Sequence, residues 1–162
     1  MAVKHRPLLY IETSVFGFYY DEEPRNALRR EAVRTMFQQI SLGLLDAAAS
    51  PLTEEELDAS AEPTRSKLLA SLDQLAMLEA EDSEVSRLAG LYVEDGIIPT
   101  AEALDARHAA YATVARADII VSLNLKHLAN AWAEQRLNTV NEREGFPTVR
   151  IRTPEQVVHY ED

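Results

Sequence analysis

Residues 105–127, DARHAAYATVARADIIVSLNLKH, constrain the fold of this chain more than any other stretch. Asp118-Ile119-Ile120-Val121-Ser122-Leu123 is β-branched, almost continuously apolar and too short for a second helix. It is predicted to be a strand buried on both faces. Residues 100–116 before it are predicted to form a helix, with Asp105, His108, Ala109 and Ala112 three or four apart on one face. Alanine dominates that face, so the helix can lie close against a sheet. A helix feeding such a strand runs antiparallel to it, and its amino terminus lies at the edge where the strand ends. Asp105 is therefore expected close to Asn124, Lys126 and His127, at the strand end where open α/β sheets bind ligands. Asp118 is expected at the opposite edge, on the order of 15 Å away at about 1.5 Å of helical rise per residue.

A chain of 162 residues suits one domain with a substantial core. It has no cysteine, which excludes disulfides, thiolate zinc sites and a cysteine nucleophile. His5, His108, His127 and His159 show no paired-ligand spacing, which argues against zinc. No apolar run approaches about 20 residues and the start carries no signal-peptide pattern, so no membrane association and a cytoplasmic location are expected. The net charge of −11 argues against a general nucleic-acid coat protein. The charge is uneven, however: from Glu54 to Glu84 ten acids meet only Arg65 and Lys67, while bases gather at Arg25, Arg29, Arg30 and Arg34 and at Arg143, Arg150 and Arg152. An acidic site loaded with divalent cations would also reverse its local charge.

From the start of the chain, Leu8-Leu9-Tyr10-Ile11 is a buried strand ending in Glu12-Thr13-Ser14. A carboxylate followed by two hydroxyls fits a capping turn or an ion-handling loop, and both readings stand. Residues 15–20 are aromatic around Gly17 and fit a short helix or a groove-lining loop. Pro24 opens a helix over 24–42, with Leu28, Ala32, Val33, Met36, Phe37 and Ile40 as its core stripe and the four arginines mostly outward. Gly43 ends it, and 44–49 is a second strand. Ser50-Pro51 cap and start another helix with Glu54, Glu55 and Glu56 in its first turns. Acids favour helix amino termini, and Thr53 with Glu56 matches a capping box; one of the three glutamates can equally face the edge that carries Glu12.

Pro63 breaks the pattern, 64–75 is an amphipathic helix and 77–79 a short strand. Asp82 is expected to cap a helix through Val93, with Val85, Leu88, Ala89 and Tyr92 inward. A helix over 128–137, a strand over 149–151 and a turn beginning Thr153-Pro154-Glu155 complete the chain. This alternation predicts one α/β domain over 1–162, a three-layer α/β/α sandwich around a parallel sheet of about four to five strands.

Glu12, one of Glu54 to Glu56, Asp105 and Asn124 all belong at the carboxyl edge of that sheet. Converging hard oxygen ligands are what Mg²⁺ or Mn²⁺ needs, and such ions polarise a phosphodiester and lower the pKa of water. The segments YIETSVFGFYY, SPLTEEEL, DARHAAYATVARADIIVSLNLKH and NEREGFPTVRIRTPEQVV resemble the PIN-domain family, specifically its VapC-like prokaryotic branch, almost end to end. The third segment is the most specific. The resemblance implies a PIN-like fold and a Mg²⁺- or Mn²⁺-dependent endoribonuclease acting on RNA. It also implies the toxin of a toxin–antitoxin pair, a small antitoxin partner and a homodimer. Carried across by position, the family's acids fall on Glu12, Glu56 and Asp105 as metal ligands, with Ser50 starting the segment that selects Glu56. Asn124 would position water or metal, Thr13 and Ser14 would support phosphate or water, His127 would reach phosphate, and His108 would be a hydrogen-bonded core residue.

Three positions depart from the pattern. Glu12 stands where many members have aspartate, although the branch often carries ETS; Asn124 stands where a fourth acid is common; Leu123 stands where the branch has tryptophan. Phe16, Phe18, Tyr19 and Tyr20 add an aromatic cluster that fits a dimer surface, the core or a groove lining. Two rivals remain: a catalytically weak PIN-like binding module acting through protein or RNA contacts, and a metal-dependent hydrolase of small phosphate esters.

Overall fold

The structure, a computed structural model, describes residues 6–159; His5 and the outermost residues of the expected 1–162 domain lie outside them. Five strands form one parallel sheet: β1 (Leu8–Ile11), β2 (Asp46–Ala49), β3 (Ala76–Met77), β4 (Ile119–Val121) and β5 (Arg150–Arg152). Their spatial order is β3-β2-β1-β4-β5. The register sets Tyr10 opposite Ala48 on one side and Ile120 on the other. Strand alternation then sorts the core into two layers. Tyr10, Ile120 and Ile151 face one cluster, while Leu9, Ile11, Ile119 and Val121 face the other.

The Tyr10 face is covered by α4 (Asp82–Glu94), α5 (Ala103–Val114) and α6 (Ala131–Arg143), through Leu88, Tyr92, Ala109, Ala112 and Leu137. The Leu9 face is covered by α1 (Ala27–Ser41) and α3 (Thr64–Leu72), through Val33, Met36, Phe37, Leu68 and Leu72. Short helices α2 (Pro51–Asp58) and α7 (Pro154–Val157) complete a three-layer α/β/α sandwich. Alanines at 106, 109, 110 and 112 are fully buried, which is how α5 comes to lie directly on the sheet. Among the described residues no helix is long and apolar enough to cross a membrane.

Several local expectations are corrected. Leu28 shares the row of Ala32 and Met36, which are buried, but is itself 84% exposed. The helix expected over 128–137 is α6, and it starts later, at Ala131. Asn130 caps it by accepting from the Ala133 N–H at 2.8 Å, and Leu128 is buried in the turn before it. Asp82 is the first residue of α4, with Glu81 in the cap position and no side-chain cap bond. The aromatic run lies in a 3-10 segment, Thr13–Tyr20. Phe16 is fully buried against Phe37, their ring centroids 5.6 Å apart, and the Tyr20 hydroxyl donates to the Lys67 carbonyl at 2.8 Å. Phe16 belongs to the core, whereas Phe18, Tyr19 and Tyr20 are half-buried beside it.

The burial pattern sets a direct comparison. Met36→Ala should cost about 2–5 kcal/mol, the usual range for emptying a core site. Leu28→Ala should change stability by less than about 0.5 kcal/mol, as exposed substitutions do. Urea unfolding of both variants checks this, and equal losses would contradict it.

Candidate functional site

The sheet order changes direction at β1: chain progress runs from β1 outward to β2 and β3, then crosses to β4 on the other side. In open α/β sheets the crevice beyond the carboxyl ends at such a switch point binds ligands. Here Glu12 directly follows β1 and Ser122 directly follows β4, and the Glu12 N–H donates to the Val121 carbonyl at 3.0 Å. Glu12 is only 4% exposed, and its charge is met by three donors. Oε2 accepts from the Ser14 N–H at 2.6 Å, and Oε1 from the Ser14 and Ser122 hydroxyls, each at 2.7 Å. Ser14 Oγ accepts in turn from the Leu123 N–H, and Ser122 Oγ from the Asn124 N–H, both at 3.0 Å. The two turns are thereby stitched together. Ser122 escaped the sequence reading; its one signal there is a lone hydroxyl at the end of an apolar strand.

Of the three glutamates on α2, Glu54 and Glu55 are exposed and Glu56 is half-buried. Glu56 Oε1 accepts from the Thr13 hydroxyl at 2.9 Å and is in short contact with His108 Nε2. His108 is 1% exposed, and its Nδ1 lies 2.7 Å from the Tyr10 hydroxyl, which lies 2.7 Å from Ser50 Oγ. Ser50 thus holds the cap position of α2 without a side-chain cap bond, its hydroxyl being turned to Tyr10. Burial foremost raises the Tyr10 pKa, so this residue stays a phenol. Thr53 lies within α2, where its buried hydroxyl stands beside the Tyr10 hydroxyl but outside hydrogen-bond geometry among the described residues.

Asp105 sits in the first turn of α5, which begins at Ala103 after a short 3-10 turn over Thr100–Glu102. Its Oδ2 accepts from Asn124 Nδ2 at 2.7 Å, and Asn124 Oδ1 accepts from the His127 N–H at 3.1 Å. A backbone N–H can only donate, so the Asn124 oxygen faces His127 and its nitrogen faces Asp105. In this arrangement Asn124 holds Asp105, and its oxygen is already engaged. Burial, with the charges of Glu12 and Glu102, raises the Asp105 pKa to about 6; His108 and His127 act in the opposite direction. His127 Nε2 lies 3.9 Å from Glu102. Asp118 is at the other edge of the sheet, where its Oδ2 accepts from the Leu8 N–H at 2.7 Å.

Glu12, Glu56, Asp105 and Asn124 therefore gather at one edge from four separate segments. Among the described residues, no three acids or histidines form a ready-made metal-ligand group. The donor chemistry nevertheless suits a hard cation. Asp105 Oδ1 and Glu56 Oε2 make no hydrogen bond among the described residues, and Glu12 Oε2 makes a single one. The α1 arginines do not serve this edge: Arg30 donates to the Asp21 carbonyl and Arg34 to the Tyr19 carbonyl, each at 2.8 Å. No family model matches the chain, and no curated protein matches it significantly.

Two predictions follow from these environments. The folded Asp105 pKa lies above its ordinary value of 3.8. The folded state therefore binds the extra proton, and this residue's contribution to stability falls as pH rises from about 4 through about 6. Asp105→Asn should gain about 1–2 kcal/mol at pH 7, allowing for solvent screening at a half-buried site, and almost nothing at pH 4. Denaturation at both pH values tests it; an equal effect at the two would contradict the assignment. Thr53→Val keeps the side-chain shape and removes the unpaired hydroxyl, so it should raise stability by about 1 kcal/mol. A thermal melt showing a loss instead would mean that the hydroxyl has a partner.

Proposed function

We propose that this protein is a Mg²⁺- or Mn²⁺-dependent endoribonuclease of the PIN type. The observation that carries this reading is the gathering of Glu12, Glu56 and Asp105, from the end of β1, from α2 and from α5, at the switch-point edge of an all-parallel sheet. The resemblance of the ETS, SPLTEEEL and DARHAA segments to the VapC-like branch points the same way. Glu12, Glu56 and Asp105 would hold the cation, Asn124 orients Asp105, and Thr13 braces Glu56. Such an ion supplies Lewis-acid polarisation of a phosphoryl group and a lowered water pKa. Ser14 keeps Glu12 in place, and His127 stands beside Glu102 where a phosphate can be met. RNA is the proposed substrate, a small antitoxin the proposed partner and a homodimer the proposed assembly, all on the resemblance.

A second reading, a weakly catalytic PIN-like module acting through protein or RNA contacts, has its own support in Asn124, whose oxygen is engaged with His127 and which adds no charge. Calorimetric titration with Mn²⁺ separates the two, since a module without a cation site takes up no ion through these carboxylates. On the nuclease reading, Asp105→Asn lowers Mn²⁺-dependent RNA cleavage by about a hundredfold or more, because metal assistance is worth several kcal/mol. The same variant stays folded. A folded Asp105→Asn protein with undiminished cleavage would sink the nuclease assignment.

A further inference from the structure

We propose that His108 is a positioning residue: held from behind by Tyr10 and Ser50, it presents Nε2–H to Glu56 and fixes that carboxylate at the site edge. The inference deepens the metal-dependent reading above and rests on it. A carboxylate only accepts hydrogen bonds, so the hydrogen in the His108–Glu56 contact belongs to Nε2. The other ring nitrogen is occupied by the Tyr10 hydroxyl, itself backed by Ser50. The imidazole is 1% exposed and tilted against the Tyr10 ring at 5.8 Å, so it has no room to turn its other edge to Glu56.

A histidine kept only for packing would need its nitrogens satisfied by any partner, most simply a backbone carbonyl. This one directs its outer nitrogen at a half-buried acid on α2, and Thr13 donates to the same oxygen. Glu56 Oε1 is thus taken by two protein donors, while Oε2 makes no hydrogen bond among the described residues and is the oxygen left to a ligand. Orientation of a ligating carboxylate in this way commonly accounts for a tenfold to hundredfold share of metal affinity, roughly. The same chain ties the first strand, the Ser50 turn and α5 to one side chain of the site.

The test compares His108→Leu, which fills similar space without a donor, with His108→Gln, whose amide can still donate to Glu56. Two readouts are taken: Mn²⁺ binding by calorimetry, and the carboxyl ¹³C resonance of Glu56 in metal-free protein. The inference expects His108→Leu to weaken Mn²⁺ binding by about tenfold or more, and His108→Gln to retain most of it. It also expects the Glu56 resonance to move in the leucine variant and to return in the glutamine one. Wild-type affinity in folded His108→Leu overturns the positioning role alone. Absence of Mn²⁺ binding by the wild type overturns the cation reading, and the Glu56 resonance then decides His108 by itself: unmoved in the leucine variant, the role is rejected. If His108→Leu does not fold, Tyr10→Phe replaces it, since that change unlocks Nδ1 without touching Glu56. An unmoved Glu56 resonance there rejects the role as well.

Discussion

Everything at the carboxyl edge depends on how the charge of Glu12 is accommodated. An ionised carboxylate with 4% exposure costs several kcal/mol unless hydrogen bonds replace its water. Its three donors come from two places, the Ser14 turn after β1 and Ser122 at the end of β4. Neither turn alone satisfies it. The charge is therefore tolerated only when β1 and β4 stand side by side in the observed register, and the same bonds set the entrance of the loop that carries Asn124. The central strand pairing and the candidate site are one object.

The positive charges of α1 show the complementary economy. Arg29, Arg30 and Arg34 lie along this helix with Arg25 just before it, and each has a partner within the chain. Arg25 pairs with Glu23 at 2.6 Å, Arg29 lies 3.6 Å from Glu155 and over the Phe18 ring, and Arg30 and Arg34 hold backbone carbonyls. Arg29 and Arg34 tie the aromatic 3-10 segment to α1, Arg30 holds the residue that follows it, and Arg25 stays in an exposed pair before the helix.

Much of this was legible in the sequence because it follows from periodicity and chain direction. The run at 118–123 could only be a buried strand, and an antiparallel helix before it had to bring Asp105 to Asn124 and leave Asp118 at the far edge, as the bonds to Asn124 and Leu8 show. What escaped depends on contacts between distant positions or on the direction of a hydrogen bond. The Tyr10 hydroxyl meets residues 40 and 98 positions away, which no local pattern records. For Asn124 the sequence expects a residue that positions water or metal, but it records neither the bond its nitrogen makes to Asp105 nor the one its oxygen accepts from the His127 N–H. Leu28 has the spacing of a core residue, yet it lies at the start of α1, where the stripe runs out to solvent. Asn130 was a cap visible in the sequence, and reading it as one would have placed the start of α6 correctly.

The outermost strands have a consequence for association. β3 is two residues long, and β5 is three, with arginine at both ends. A row of unpaired backbone groups invites another chain only when it is long, flat and apolar. Here the sheet stops at borders too short on one side and too charged on the other to template an added strand. Neither border offers the long, flat, apolar edge that strand-to-strand pairing between two copies would use.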